Sequence, residues 1–137
     1  MRVLGLDLGS KTCGVSVSDA LGMIARPVET IRFDSDDYEQ AFIQVQKHIK
    51  DFQSKTVVLG LPKHMNGDVG IRGNISIDFK EKLEQTGVEV VLWDERLTTV
   101  AAEKILIAAD VSRKKRKKVI DQMAAVQILQ SYLDSKY

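Results

Sequence analysis

The sequence predicts an α/β fold with a mixed five-stranded sheet flanked by helices. Two observations lead to this prediction. The start of the chain contains three strand-like segments separated by short turns, which is typical of an antiparallel meander. The remainder alternates strand-like and helix-like segments, which is typical of βαβ units. The resulting order is β-β-β-α-β-α-β-α-α, and because no repeat or linker interrupts it we expect a single domain over residues 1–137.

Three strands are predicted in the opening segment. Val3–Leu8 is apolar apart from Asp7, as in a buried central strand. Cys13–Asp19 alternates apolar residues with glycine and serine, so one of its faces is expected to be buried. Within Ala25–Arg32, Pro27 has no backbone N–H to donate and therefore belongs at a sheet edge or a bulge.

Helical spacing of apolar residues begins further along the chain. It extends from residue 36 to residue 52, and Ser35 or Asp36 can cap the start of that helix. Gly87 is a C-terminal stop for the second helix. The basic residues 113–118 are expected to form a loop before the last helix. The remaining predicted elements are strands Thr56–Gly60 and Val88–Trp93, helix Arg72–Gln85, a helix that Thr98 caps, and helix Lys117–Ser135.

Composition excludes several classes of protein. The single cysteine, Cys13, rules out an internal disulfide framework and a cysteine-based zinc site. With 4 Phe, 3 Tyr and 1 Trp, the chain has few rings for stacking the bases of a single strand. No secretory signal opens the sequence, and no apolar run approaches the ~18 residues of a membrane span. We therefore expect an intracellular protein.

The net charge of +1 conceals a strongly basic segment, Arg113–Lys118, with the sequence RKKRKK. Without these six residues, 14 Lys and Arg stand against 19 Asp and Glu, so the rest of the chain is acidic. Such a run is consistent with a solvated loop and also with a clamp for the phosphates of a nucleic acid.

Three acidic residues occupy unusual positions. Asp7 lies inside an apolar strand, where an unpaired carboxylate is costly to bury. Glu95 lies just outside the last predicted strand, between Asp94 and Arg96. Asp121 is the first residue of an otherwise apolar row on the last helix. Taken singly, each has a structural explanation: a buried ion pair, a surface pair with the neighbouring arginine, and an interaction with the helix dipole.

Together, these acids suggest a chemical role. They come from the first strand, the last strand and the last helix, so they can meet only through tertiary folding. Three carboxylates repel one another unless cations neutralise them, and Mg²⁺ and Mn²⁺ prefer oxygen ligands. Two such ions about 4 Å apart can activate a water molecule and stabilise the leaving oxygen in phosphodiester cleavage. The acids and the separate basic segment therefore predict a nuclease with two Mg²⁺ or Mn²⁺ ions.

The chain also resembles a known family. It contains, in this order, the motifs GLDLGSKTCGVSVSD, ARP, GLP…MNG, WDERLTT and KVIDQMAAVQIL. Over essentially its whole length it resembles the YqgF/RuvX family of pre-16S rRNA nucleases, which is similar to the Holliday-junction resolvases. The resemblance implies a ribonuclease H-like fold, a cytoplasmic location, divalent-metal nuclease chemistry and maturation of the 5′ end of small-subunit rRNA.

The same resemblance assigns the catalytic and metal-binding acids to Asp7, Glu95 and Asp121. Related resolvases use four acids, and Asp94 or Asp19 could assist here. The family often carries a basic residue two positions before the Phe of the second helix. In this chain Ile77 occupies that position, and Arg72 lies further upstream.

Nucleic-acid contacts are expected from eight basic residues: Lys11, Arg96, Arg113, Lys114, Lys115, Arg116, Lys117 and Lys118. The expected partner is structured RNA, within pre-ribosomal particles, or branched DNA, and the chain is expected to act as a monomer or a homodimer. Two alternatives stay open: a Holliday-junction-resolvase-like DNA nuclease, and a non-catalytic module for nucleic-acid binding or ribosome assembly. The segment Asp7-Leu8-Gly9-Ser10 also resembles the phosphate loop of actin-like ATPases and sugar kinases, but those enzymes need a second lobe.

Overall fold

A computed structural model describes residues 2–62, 69–95 and 113–136, with the side chains of residues 113–122 left outside the description. Five strands and three helices lie within these ranges. In chain order they are β1 (Val3–Leu8), β2 (Thr12–Ser18), β3 (Ala25–Arg32), α1 (Tyr38–Asp51), β4 (Thr56–Leu61), α2 (Ile71–Glu84), β5 (Glu89–Asp94) and α3 (Arg113–Asp134).

The strands form one sheet in the order β3-β2-β1-β4-β5. β2 is antiparallel to both β1 and β3, whereas β4 is parallel to both β1 and β5. The predicted mixed five-stranded sheet is therefore confirmed. Because β1, β4 and β5 are parallel, they end at the same side of the sheet, which we call the carboxyl edge.

β3 is an edge strand, and it contains Pro27 as predicted. Pro27 pairs with Ser16, next to a register shift between Val15 and Ser16. An edge position beside a bulge tolerates a residue that cannot donate a ladder hydrogen bond.

Helices α1 and α2 cover one face of the sheet. Leu4, Leu6 and Leu8 of β1 point to this face and are almost completely buried. Alternation along the strand therefore turns Gly5 and Asp7 to the opposite face. The larger core cluster on the α1–α2 side also includes Cys13, Val15, Val17, Ile31, Phe33, Ala41, Val45, Val57, Leu59, Phe79, Leu83, Val88 and Val90.

Helix α3 packs on the opposite face and approaches β1 closely. A Cβ atom on Gly5 would lie 2.7 Å from Leu129 Cβ and 3.0 Å from the Ala125 carbonyl oxygen, so only glycine permits this approach. Ser16 Oγ donates a 2.7 Å hydrogen bond to the same carbonyl. These contacts fix the distance of α3 from the sheet.

The start of α1 differs from the prediction. Asp37, rather than Ser35 or Asp36, caps the helix, since its Oδ1 accepts a 3.2 Å hydrogen bond from the Gln40 backbone N–H. Asp36 instead adopts a positive φ of 61°, and its backbone N–H donates to the Ser10 carbonyl at 2.8 Å. The chain therefore turns one residue later than the sequence indicated.

The start of α3 also differs. The helix begins at Arg113 rather than Lys117, so the basic run is helical and its prediction as a loop is wrong. Lysine and arginine are good helix formers, and like charges four residues apart cost only a few tenths of a kcal/mol. The predicted helix that starts at Thr98 lies outside the described residues. None of the described helices is long and apolar enough to cross a membrane.

Candidate active site at the carboxyl edge

Asp7 lies one residue before the end of β1, on the face that α3 covers. Its neighbours Leu6 and Leu8 point into the core on the other side of the sheet. Asp7 is half-buried. A carboxyl group in this position has apolar strands around it and the open end of the sheet beside it.

Glu95 reaches Asp7 from across a strand. It directly follows β5, and its backbone N–H donates a 3.3 Å hydrogen bond to the Leu61 carbonyl. β4 separates β5 from β1. A Cβ atom on Gly60 of β4 would lie 2.6 Å from Glu95 Cδ and 2.7 Å from Ile128 Cδ1. The Glu95 side chain therefore crosses β4 over Gly60, where a larger residue would obstruct it.

The carboxyl groups of Asp7 and Glu95 are hydrogen-bonded to each other. Burial, this hydrogen bond and the charge of Asp7 together raise the pKa of Glu95 to about 10, while the Arg72 guanidinium acts in the opposite direction. Glu95 is therefore the protonated donor of the pair at neutral pH. Two carboxyl groups in contact share a proton because both cannot ionise side by side without a cation.

Neither residue considered as a fourth acid joins this pair. The negative charge of Asp94 contributes to the raised pKa of Glu95. Alternation along β5, however, turns the Asp94 side chain to the same face as Leu92, on the α1–α2 side of the sheet. Asp19 follows β2, which is antiparallel to β1, and so lies at the opposite edge, roughly 17 Å from Asp7 along the strand direction. The Met23 backbone N–H donates to Asp19 Oδ1 at 2.7 Å and lowers the pKa of Asp19.

Helix α3 runs antiparallel to β1. Leu133, near its end, belongs to the cluster that packs against Val3 at the start of β1, whereas Ala125 lies beside Gly5. Towards its N-terminus the helix therefore follows β1 in the direction of the carboxyl edge. Asp121 belongs to α3 one turn before Ala125, and its side chain is among those that the structure does not describe.

In the part of the chain whose side chains are described, no group of three or more His, Cys, Asp or Glu residues could hold a metal ion. The Asp7–Glu95 pair supplies two carboxyl groups. Hard oxygen donors of this kind fit Mg²⁺ or Mn²⁺, and a cation bound there would take the place of the shared proton.

A family model described as RuvX, Holliday junction resolvase, matches residues 1–135. The chain belongs to the RuvX family. Three curated relatives carry the provisional name pre-16S rRNA nuclease. The protein of Bacillus subtilis is 59% identical over 136 residues, which are 98% of this chain and 99% of the relative. Those of Staphylococcus epidermidis and Lactococcus lactis are 54% and 58% identical, over 98% of this chain and 96% and 94% of their own lengths.

Solved structures are similar in fold. Thermus thermophilus RuvC in complex with a Holliday junction has a TM-score of 0.61 and 14% identity, over 99% of this chain and 95% of that chain. The fowlpox virus resolvase, also with its junction substrate, has a TM-score of 0.62 and 13% identity, over 99% of each chain. The predicted ribonuclease H-like fold is therefore confirmed.

A protein of Listeria monocytogenes, provisionally an N-acetylmannosamine kinase, is a more distant structural neighbour. It has a TM-score of 0.51 and 19% identity, and the similarity covers 80% of the present chain but 40% of the kinase. The likeness of the opening segment to sugar kinases therefore reflects a shared core fold. The RuvX family model, in contrast, accounts for nearly the whole chain.

The basic residues predicted to bind nucleic acid fall in three places. Lys11 is exposed in the turn after β1, at the carboxyl edge, where its carbonyl accepts a 3.0 Å hydrogen bond from Phe33 N–H. Arg96 lies outside the described residues. Arg113–Lys118 form the first turns of α3, and their side chains lie outside the description.

The sequence prediction missed one basic residue, Arg72. Its Nη2 donates a 3.2 Å hydrogen bond to the Leu8 carbonyl, the residue after Asp7, and its Nη1 donates a 3.0 Å hydrogen bond to the Tyr38 hydroxyl. No local pattern distinguishes an arginine in the first turn of a helix from a solvated one, so only the tertiary fold reveals this contact.

Proposed function

We propose that this RuvX family member is a metal-dependent nuclease that hydrolyses phosphodiester bonds in the maturation of the 5′ end of 16S rRNA. The observation that carries the proposal is the contact between the Asp7 and Glu95 carboxyl groups. Asp7 lies in β1 and Glu95 follows β5, yet their carboxyl groups meet across β4. Two ionised carboxylates in contact would repel each other. Such an arrangement is suited to holding cations. The names of relatives that align over 94–99% of their own lengths support the substrate.

Asp7 and Glu95 would hold Mg²⁺ or Mn²⁺, with Asp121 as a third ligand. The course of α3 supports the inclusion of Asp121, because the helix follows β1 towards the carboxyl edge and residue 121 is one turn closer to it than Ala125. Two bound ions would supply an activated water molecule and stabilisation of the leaving oxygen.

The protein itself prepares this site in two ways. Gly60 leaves the passage through which Glu95 extends to Asp7. The shared proton keeps the two carboxyl groups together without a cation, and Glu95 must release that proton as a cation binds. Loading of the site should therefore be easier at higher pH.

The RNA would be held by the basic residues. Arg113–Lys118 end three residues before Asp121 on α3, so a nucleic-acid backbone bound there would pass close to the acids. Lys11 stands at the carboxyl edge, and Arg96 follows Glu95 in the sequence. The proposal extends to a cytoplasmic protein, monomeric or homodimeric, that acts on structured RNA in pre-ribosomal particles.

The test is cleavage of a labelled RNA that spans the 5′ end of precursor 16S rRNA, with Mg²⁺, with Mn²⁺ and with chelator. Asp7→Asn keeps the shape of the side chain and removes one anionic ligand. It should lower the cleavage rate by more than about 100-fold, beyond the usual cost of losing an outer-shell partner of a metal. Asp51→Asn, the same change at an exposed acid at the end of α1, should cleave like the wild type.

A four-way DNA junction in the same assay separates the alternatives. Faster cleavage of the junction than of the RNA would mean that the substrate is branched DNA, as in the description of the family model. Binding of RNA without metal-dependent cleavage would favour a ribosome-assembly module. Undiminished cleavage by Asp7→Asn would contradict the site itself.

A further inference from the structure

Among the described residues, the basic residue Arg72 has a side chain that reaches the end of β1, the strand that carries Asp7. It lies in the first turn of α2, on the side of the sheet opposite α3. Its guanidinium nevertheless extends to the carboxyl edge, where Nη2 lies 3.2 Å from the Leu8 carbonyl oxygen. Asp7 is the residue immediately before Leu8. A fixed positive charge therefore stands at the opening of the proposed metal site.

A chain of hydrogen bonds holds this guanidinium in place. Arg72 Nη1 donates to the Tyr38 hydroxyl at 3.0 Å, and that hydroxyl donates to Asp36 Oδ1 at 2.9 Å. Burial and the hydrogen bond to Asp36 raise the pKa of Tyr38, so the hydroxyl stays protonated. Asp36 is itself fixed, because its backbone N–H donates to the Ser10 carbonyl at 2.8 Å in the turn after β1.

Among the described residues, the two oxygens that accept hydrogen bonds from Arg72 are neutral. A main-chain carbonyl and a phenol hydroxyl orient the guanidinium without cancelling its charge. If cations at Asp7 and Glu95 neutralise those carboxylates, the positive charge of Arg72 is left beside an anion-binding opening. Arginine presents five N–H donors in a planar fork that matches a phosphate, so donors remain for a ligand once two are used.

We propose that Arg72 binds a non-bridging phosphate oxygen of the nucleic acid next to the scissile bond, and that Tyr38 and Asp36 act as positioning residues for it. The inference rests on the proposed nuclease function and adds a substrate contact to it. Arg72 is the catalytic residue of this set because it touches the substrate, whereas Tyr38 acts through Arg72.

Two measurements on the same RNA test the contact. The first is the salt dependence of binding in EDTA, by fluorescence anisotropy between about 50 and 200 mM KCl, with each compared protein also carrying Asp7→Asn so that no uncompensated carboxylate competes with the phosphate for Arg72. Arg72→Gln should lower the slope of log K against log[salt] by about 0.7–0.9, the effect of one lost phosphate contact. The second is the cleavage rate in Mg²⁺, which Arg72→Gln should lower by about 10- to 100-fold, as expected for one lost hydrogen bond to a charged group.

Further variants separate a substrate contact from a structural tether. Arg72→Lys keeps the charge, so the salt slope should stay that of the wild type while cleavage falls. Tyr38→Phe keeps the guanidinium and removes one of its anchors, so the slope should again be unchanged while cleavage falls about 3- to 10-fold. Lys80→Gln removes a charge from a half-buried position two turns further along α2, where Lys80 pairs with Glu84, and should change neither quantity.

Each outcome distinguishes a phosphate contact of Arg72 from a purely structural role. An Arg72→Gln protein with the wild-type salt slope would overturn the phosphate contact, even if its melting temperature fell. If Arg72→Gln does not fold, full cleavage by Tyr38→Phe, or a reduced slope in Arg72→Lys, would overturn the inference. A wild type that neither binds nor cleaves the RNA would instead mean that the proposed function had failed.

Discussion

Glu95 keeps its proton at neutral pH because of its surroundings. Burial and the neighbouring Asp7 favour the neutral form more than Arg72 favours the charged one. An acid with a raised pKa binds a proton in the folded state that the unfolded state releases. Its contribution to stability therefore falls as the pH rises from the ordinary value of 4.5 towards about 10.

The stability of the metal-free protein should show this effect. In EDTA, the free energy of unfolding of the wild type should fall more steeply between about pH 6 and pH 9 than that of Glu95→Gln, which has no proton to lose. Chemical denaturation at several pH values measures both. Glu81→Gln, at an exposed acid of α2, should behave like the wild type. Parallel curves for the wild type and Glu95→Gln would show that Glu95 is not protonated.

The sequence singles out Asp7 and Glu95 because each acid is out of place locally: one interrupts an apolar strand and the other follows one. Their contact across β4 could not be predicted, since it depends on the strand order and on the absence of a side chain at Gly60. The hydrogen bonds of Arg72 could not be predicted for the same reason. Its partners, Leu8 and Tyr38, are distant in the sequence.

At the scale of elements, β4 is the strand on which the site depends. It separates β1 from β5, and the missing side chain at Gly60 leaves the space in which Glu95 extends across β4 to Asp7. An added methyl group would meet Glu95 on one side and Ile128 of α3 on the other. The same substitution should therefore damage both the site and the packing of the helix.

Gly60→Ala should lower the free energy of unfolding by about 1–3 kcal/mol through overpacking. It should also lower the cleavage rate by about 100-fold, since displacement of a reacting group by 1 Å has this effect. Adding Ile128→Val removes the Cδ1 atom that the new methyl group meets at 2.7 Å. The double variant should recover stability relative to the sum of the single changes, but it should not recover cleavage, because Glu95 is still obstructed. Recovery of both would mean that Glu95 does not need this passage.

Most strands and helices were predicted to within one or two residues because their apolar periodicity is strong, as in Val3–Leu8 and Ala25–Arg32, whose bounds agree with the structure. The basic run is helical rather than the predicted loop, because lysine and arginine are good helix formers and repulsion between neighbouring charges costs little. The predicted cap of α1 is one residue too early, because Asp36 and Asp37 have the same side chain and differ only in backbone conformation.

At the scale of the whole molecule, acidic and basic residues lie in different regions. The acids lie at the carboxyl edge, and the basic residues lie in the first turns of α3, before Asp121. Six successive helical residues rise about 9 Å and pass more than once round the helix axis. We therefore expect only two or three of them to contact one nucleic-acid backbone at a time.

Replacement of Lys114, Lys115, Arg116 and Lys117 by Gln should preserve the helix and relieve its internal repulsion, so the melting temperature should not fall. The slope of log K against log[salt] for RNA binding should decrease by about 1.4–2.7, the effect of two or three lost phosphate contacts. Lys47→Gln with Lys50→Gln, on the exposed side of α1, provides the control. An unchanged slope in the fourfold variant would exclude the run from RNA binding.

The central claim is that Asp7 and Glu95 hold a divalent cation in place of a proton. Calorimetric titration with Mn²⁺ at about pH 8, in two buffers of different ionisation enthalpy, measures affinity and proton release together. The wild type should bind Mn²⁺ and release about one proton, whereas Asp7→Asn should bind at least about 10-fold more weakly. Binding without proton release in the wild type, or equal affinity in Asp7→Asn, would contradict the account.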